Sequence, residues 1–344
     1  MNAMELPYAV ILIVLVALAF DFLNGMNDAA NSIATVVATH VLPPRLAVAW
    51  AAFFNFAAVF IFGTAIAKTI GRGIVVPGIV DNPFVLSALL GAIAWVWLCT
   101  HYGLPISVSH SLIGGMVGAA LMKGGWAAVI WWPGVGKILI FIVLSPLIGA
   151  VLGYLLMGLS TLCSYRGSYH RMTGLFRGLQ LASSAFFSLG HGSNDAQKVA
   201  GLIAAMLVAN HYLEPGAEIP YWVLFLCYAV IGLGTLLGGW RVIRTLGVKM
   251  TKLKPIGGFS AETGGALTLV MASHFGIPIS TTHTITGAIV GVGATNRPSA
   301  VRWGVAANIV VAWATTIPAC ALASALVLWL LQALDLPFLA GRKP

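Results

Sequence analysis

The chain of 344 residues is 59% hydrophobic and 8% charged, with a mean hydropathy of +0.96. Soluble domains carry about a quarter of their residues as charges, so the 27 Asp, Glu, Lys and Arg side chains here cannot keep a water-facing surface wet, and the bulk solvent must be lipid. The net charge of +9 sits in short clusters between apolar runs, which is the distribution of cytoplasmic membrane loops and excludes a nucleic-acid-binding role.

Apolar runs of membrane-spanning length recur along the whole chain, so an all-α polytopic membrane protein of the cell (inner) membrane is expected. Residues 1–25 contain no Lys or Arg, the first being Arg45, so the first apolar stretch reads as a retained spanning helix and not a cleaved leader. The first half gives five segments, 8–39, 45–67, 83–102, 105–122 and 137–159. Segment 8–39 is too long for one straight span, and Asn24-Gly25-Met26-Asn27-Asp28 is expected to break it. Gly103-Leu104-Pro105-Ile106-Ser107-Val108-Ser109-His110 then opens the fourth segment: Pro is pre-set for a first helical turn and a Ser beside it can cap that turn.

The second half gives 178–210, 221–240, 261–275, 277–293 and 303–331. Its landmarks repeat those of the first. Asn27-Asp28-Ala29 returns as Asn194-Asp195-Ala196, and 103–110 returns as Gly276-Ile277-Pro278-Ile279-Ser280-Thr281-Thr282-His283. Gly114 and Gly118 return as Gly287 and Gly291, spaced for close helix packing, and Pro146 falls near Pro318. Four landmarks in one order mark an internal duplication. Five segments per copy is odd, so two inverted-topology repeats are expected, 1–162 and 178–344, joined by a cytoplasmic loop at 163–177. Loop charge agrees. Residues 163–177 hold Arg166, Arg171 and Arg177, and 241–254 hold five basic residues, whereas 211–220 hold Glu214, Glu218 and no Lys or Arg. The N-terminus would then lie outside, along with Lys123, Lys137, Arg342 and Lys343.

Each repeat carries two polar motifs. At the expected midplane breaks, Asn27, Asp28, Asn194 and Asp195 present oxygens that can hold a hard cation, Na+ included, and Asn31, Ser32 and Lys198 complete the expected cation-coupling set. A carboxylate at membrane depth costs at least about 2.5–3.5 kcal/mol on insertion scales, so these read as functional, with helix capping as the plain alternative. At the two Pro-Ile-Ser helix starts, the hydroxyls of Ser107, Ser109 and Ser111, and of Ser280, Thr281, Thr282 and Thr284, combine with a helix N-terminus into an oxyanion cradle. His110 and His283 occupy equivalent positions and are either hydrogen-bonded structural residues or proton carriers. Gln180 reads as a satisfied structural polar residue. Lys198 stands where the first motif has Asn31, one turn beyond Asp195; it either pairs with that carboxylate in place of a second metal cation, supplies charge to the anion, or snorkels to the interface.

Residues 25–32 and 191–198 closely resemble the repeated Asn-Asp signature of the inorganic phosphate transporter (Pit-type) family, in its bacterial form. The paired Pro-Ile-Ser-x-Ser/Thr-His elements are similar to that family's other repeated element. The resemblance spans about residues 8–331. It implies a secondary active transporter importing inorganic phosphate by symport with H+ or Na+, with phosphate at the Ser/Thr helix starts and the cation at the Asn-Asp pairs. Lys198 departs from members whose two motifs match. Some relatives carry sulfate, so a sulfate permease is the alternative, and a passive anion channel a further one. An enzyme is not expected, since neither HExxH nor GxSxG occurs and the four cysteines show no ligand spacing. No cofactor is expected beyond the coupling ion, and a homodimer is compatible with such folds.

Overall fold

The computed structural model describes residues 8–334; the expected external positions of the N-terminus, Arg342 and Lys343 lie outside the described residues. Helices α1 (Tyr8–Ala38), α2 (Pro44–Ala57), α3 (Ala65–Gly73), α4 (Asn82–Tyr102), α5 (Val108–Gly124) and α6 (Gly136–Ser164) are followed by α7 (Tyr169–Ala209), α8 (Tyr221–Leu237), α9 (Trp240–Arg244), α10 (Pro255–His274), α11 (Thr281–Asn296) and α12 (Trp303–Ala333). No strand occurs among the described residues. One order thus appears twice: a long helix, a bent pair, a helical hairpin and a long helix with an internal proline, Pro146 in α6 and Pro318 in α12. The bent pairs turn by 82° between α2 and α3 and by 65° between α8 and α9. Four helices are long and apolar enough to cross a bilayer, six if each bent pair is one span, giving a multi-pass membrane protein.

The outer surface matches that solvent. Leu139, Val143, Leu147, Val151, Leu155, Leu159 and Leu162 run down α6 at three- and four-residue spacing with more than a third of each side chain exposed, a stripe suited to lipid. Inside, buried apolar side chains fill two clusters that both recruit from each half of the chain.

Two expectations need correction. Helix α1 runs through 24–28 without a break, and α7 runs unbroken for 41 residues through 190–195. The glycines there serve contact and not unwinding: a methyl on Gly25 would lie 2.1 Å from the Ile231 carbonyl oxygen, and one on Gly192 2.3 Å from that of Asn55. The chain breaks instead at 103–107 and 276–280, where Gly103 (φ +69°) and Gly276 (φ +62°) take the left-handed turn that ends one helix before the next begins. The second correction concerns 163–177, expected as a connecting loop. It is helical from Tyr169 onward, and only 165–168 lie outside helices.

Packing crosses between the halves. Gly114 and Gly118 of α5 abut Ile317 and Ala321 of α12, while Gly287 and Gly291 of α11 abut Pro146 and Ala150 of α6; a Cβ on each would meet a carbonyl oxygen at 2.0 to 2.7 Å. The spaced glycines therefore set each hairpin against the proline-containing helix of the other half.

Candidate functional site

The two hairpin turns meet at the centre. Ser107 and Ser280 are N-caps, their hydroxyls accepting from the backbone N–H of His110 (3.3 Å) and His283 (3.2 Å), as Ser beside a Pro-preceded turn should. The rings of His110 and His283 then lie edge to face, 4.8 Å apart, and His283 stacks on Trp313 at 3.7 Å. The Thr282 hydroxyl reaches the Ile106 carbonyl across the junction at 3.0 Å. First-turn N–H groups of α5 and α11 therefore converge on one region.

Against these tips lie α1 and α7, carrying Asp28 and Asp195, both almost wholly buried. Each carboxylate reaches the other half's hairpin. Thr282 and Thr281 lie 3.3 and 3.4 Å from the Asp28 oxygens; Ser109 and Thr281 lie 3.4 and 3.2 Å from those of Asp195. Of these hydroxyls, that of Thr281 contacts both. The expected anion hydroxyls and cation carboxylates are thus one site.

Lys198 does not snorkel. It is 2% exposed, and its Nζ donates to Asp195 Oδ1 (2.7 Å), Ser109 Oγ (2.6 Å) and the Ile279 carbonyl (2.9 Å). Three oxygens around one ammonium is a cation's coordination. The equivalent atoms around Asp28 are its own Oδ1, Thr282 Oγ1 and the Ile106 carbonyl. There the neighbour is the amide of Asn31, whose Nδ2 lies 3.0 Å from Thr282 Oγ1 and whose Oδ1 is buried without a hydrogen-bond partner.

His191, one turn before Asp195, completes the cluster. One oxygen of each carboxylate and a ring nitrogen of His191 lie within 4.8 Å of one another. Asn55 Nδ2 donates to Thr235 (3.0 Å), leaving its Oδ1 to accept from His191 Nδ1 (3.1 Å). That fixes the proton on Nδ1 and turns Nε2 toward Asp195 (3.2 Å) and Asp28 (3.9 Å), in poor line for a hydrogen bond. Nε2 there can take a proton or face a metal ion.

The other expected residues fall elsewhere. Asn27 donates to Thr100 on α4 at 2.6 Å, and both side-chain atoms of Asn194 are buried without a partner. On an unbroken helix, neighbours are turned about 100° apart, so Asn and Asp of each pair cannot share one face. Ser32 is buried without a partner for its hydroxyl. Ser111 and Thr284 donate back to the carbonyls of Ser107 (3.3 Å) and Ser280 (2.9 Å), inside their own helices and off the site.

Sequence reasoning gave no role to His191 or Glu262. His191 could have been found as the remaining ionisable side chain of its motif. Glu262, a lone carboxylate in α10, is wholly buried and accepts from Thr35 (2.6 Å), Ser183 (2.5 Å) and Gln180 (3.0 Å), so Gln180 is satisfied through a carboxylate. Thr35 lies two turns beyond Asp28 on α1.

An all-helical, lipid-faced chain whose buried charges come from both halves and meet at two hairpin turns is a multi-pass membrane transporter, and its relatives are transporters and not enzymes. The model of the Phosphate transporter family matches residues 24–172 and 161–324, and the chain belongs to that family. It is 54% identical over 314 residues to a probable low-affinity inorganic phosphate transporter of Rhizobium meliloti (strain 1021), covering 91% of this chain and 94% of the relative. A similarly described protein of Bacillus subtilis (strain 168) is 42% identical over 324 residues, covering 94% and 97%. Among solved structures, the sodium-dependent phosphate transporter matches with a TM-score of 0.87 at 29% identity, over 94% of this chain and 99% of that one.

Proposed function

We propose that the chain imports inorganic phosphate across the inner membrane as a symporter, with one coupling cation per turn, H+ or Na+, held at the Asp28–His191–Asp195 cluster. The observation that carries this reading is the junction itself: two helix N-termini with Ser109, Thr281 and Thr282 face two buried carboxylates. The N-termini and hydroxyls suit a tetrahedral oxyanion, and the carboxylates suit a cation.

The number of cations follows from charge. Asp28, Asp195 and Lys198 sum to −1 with His191 neutral, so one monovalent cation neutralises the cluster. Lys198 holds the oxygens that a second cation would need. Carrying a dianion inward against 100 mV costs about 4.6 kcal/mol, at about 2.3 per charge. One cation with dihydrogen phosphate moves no net charge and avoids that cost. An O–H on the anion also gives a carboxylate a partner that sulfate lacks, which favours phosphate over sulfate.

Opposed halves, 1–162 and 178–344, suit such a site. What supports them is the direction of the matching helices α1 and α7. Arg177, near the start of α7, donates to the His40 carbonyl just past the end of α1 at 2.6 Å. The far end of α7 instead meets the start of α4, through Asn210 and Asn82 at 2.7 Å. The basic stretches 163–177 and 241–254 then share the cytoplasmic end, and 68–81 and 211–220 the external one.

The test is radiolabelled phosphate uptake into proteoliposomes, with sodium and pH gradients imposed separately and sulfate as competitor. Uphill accumulation driven by one gradient, insensitive to sulfate and to membrane potential, is expected. Uptake that merely equilibrates would make the protein a channel, and equal competition by sulfate would overturn the choice of anion.

A further inference from the structure

A cavity of about 870 Å³ opens at the end of the molecule that carries the basic loops, between the end of α6, the start of α7 and the segments before α10 and α12. Four cationic side chains line it, Lys252, Lys254, Arg297 and Arg302, all exposed. No carboxylate lines it, and none of the four belongs to an ion pair among the described residues. The described carboxylates are elsewhere: Asp21, Asp28, Asp195 and Glu262 are buried in the bundle, while Asp81, Glu214 and Glu218 lie toward the other end. The rim is built and not a chance gathering of loops. Thr251 donates to the Ala300 carbonyl (3.1 Å) and the Arg302 N–H to the Met250 carbonyl (3.0 Å), tying the segment with the two lysines to the one with the two arginines.

The positive-inside tendency accounts for basic loops, but not for four uncompensated cations converging on one concavity with an apolar wall. That wall includes Met157, Met172, Phe176 and Val292, with the exposed Tyr169 at its edge. A ligand matching both features is anionic at one end, apolar at the other, and arrives from the bilayer. We propose that this cavity binds the phosphate headgroup of an anionic phospholipid, with its glycerol and upper acyl chain against Met157 and Met172. Free inorganic phosphate shares the headgroup's charge but has no use for the apolar wall. The proposal is independent of the transport stoichiometry and of the central cluster.

The experiment uses the purified full chain in neutral detergent, following its thermal midpoint while phosphatidylglycerol, phosphatidylcholine or inorganic phosphate is titrated. Phosphatidylglycerol is expected to raise the midpoint saturably and phosphatidylcholine to leave it unmoved. Replacing Lys252, Lys254, Arg297 and Arg302 together by Gln should weaken the apparent affinity for phosphatidylglycerol at least tenfold; the separate K252Q and R302Q variants serve if the combined one does not fold. Asp28→Asn should leave the lipid response intact, which separates this site from the transport site. Equal responses to the two lipids would overturn the proposal, as would a phosphatidylglycerol response unaltered in the Gln variants or one reproduced by inorganic phosphate alone.

Discussion

Replacing Lys198 by Asn gives the second half the residue that the first half has at position 31. Lys198 is the cation within hydrogen-bond distance of Asp195, at 2.7 Å, and both side chains are at most 2% exposed. Removing one partner of a buried pair costs about 3–5 kcal/mol, because the other charge is left uncompensated. In K198N that cost is expected to fall when a sodium ion takes up Asp195 Oδ1, Ser109 Oγ and the Ile279 carbonyl, the three oxygens the ammonium had held. A ligand at 100 times its dissociation constant restores about 2.7 kcal/mol. The melting midpoint of K198N in detergent should therefore rise with sodium concentration, measured against choline at matched ionic strength, while that of the parent protein depends on sodium more weakly. In proteoliposomes the variant should carry one more positive charge per phosphate and so respond to membrane potential. Each added charge is worth about 2.3 kcal/mol per 100 mV, about a 50-fold change in attainable accumulation. A midpoint indifferent to sodium, together with uptake as insensitive to potential as the parent's, would refute the assignment of Lys198 as a built-in cation.

The carboxylate variants D28N and D195N should each abolish gradient-driven uptake while the protein still reaches the membrane, and full accumulation by either would exclude its cation role. Among the hydroxyls, S109A and T282A should weaken phosphate uptake at least tenfold, whereas S111A and T284A, whose hydroxyls bond inside their own helices, should leave KM within about twofold. Substituting Glu262 by Leu strands buried donors on Thr35, Ser183 and Gln180 at about 1–3 kcal/mol each, so the folded yield in detergent should drop sharply; E262Q, which keeps an acceptor, should recover part of it. Gly192→Ala puts a methyl 2.3 Å from a backbone oxygen of α2 and should lower the melting midpoint by several degrees, read by fluorescence-detected unfolding.

Much of this architecture can be read before any coordinates, because a bilayer makes spans apolar and punctuates them with polar motifs. The Pro-Ile-Ser helix starts, the glycine spacing and the approach of Lys198 to Asp195 are local, and local rules suffice for them. The supposed breaks at Asn24–Asp28 and Gly190–Asp195 show where such rules stop. A glycine beside an asparagine looks the same whether the backbone unwinds or another chain segment passes within contact distance, and only tertiary structure tells Gly25 against Ile231 from a kink. Having kept these helices straight, the fold must turn Asn27 away from Asp28. Single polar residues such as Glu262 and Asn55 are equally silent, since their partners lie 79 or more positions away in sequence. The pairing of Asp28 with Thr282, 254 positions apart, belongs to the same class.

The glycine seams that join α5 to α12 and α11 to α6 have a mechanical corollary. Each set of junction hydroxyls is bolted to a long helix of the opposite half, while the aspartate it faces stands on α1 or α7. Neither half can rock as an independent lever, because any tilt of α6 drags Thr281 and Thr282 with it and any tilt of α12 drags Ser109. Opening to one side of the membrane must therefore shear both carboxylate–hydroxyl contacts at once.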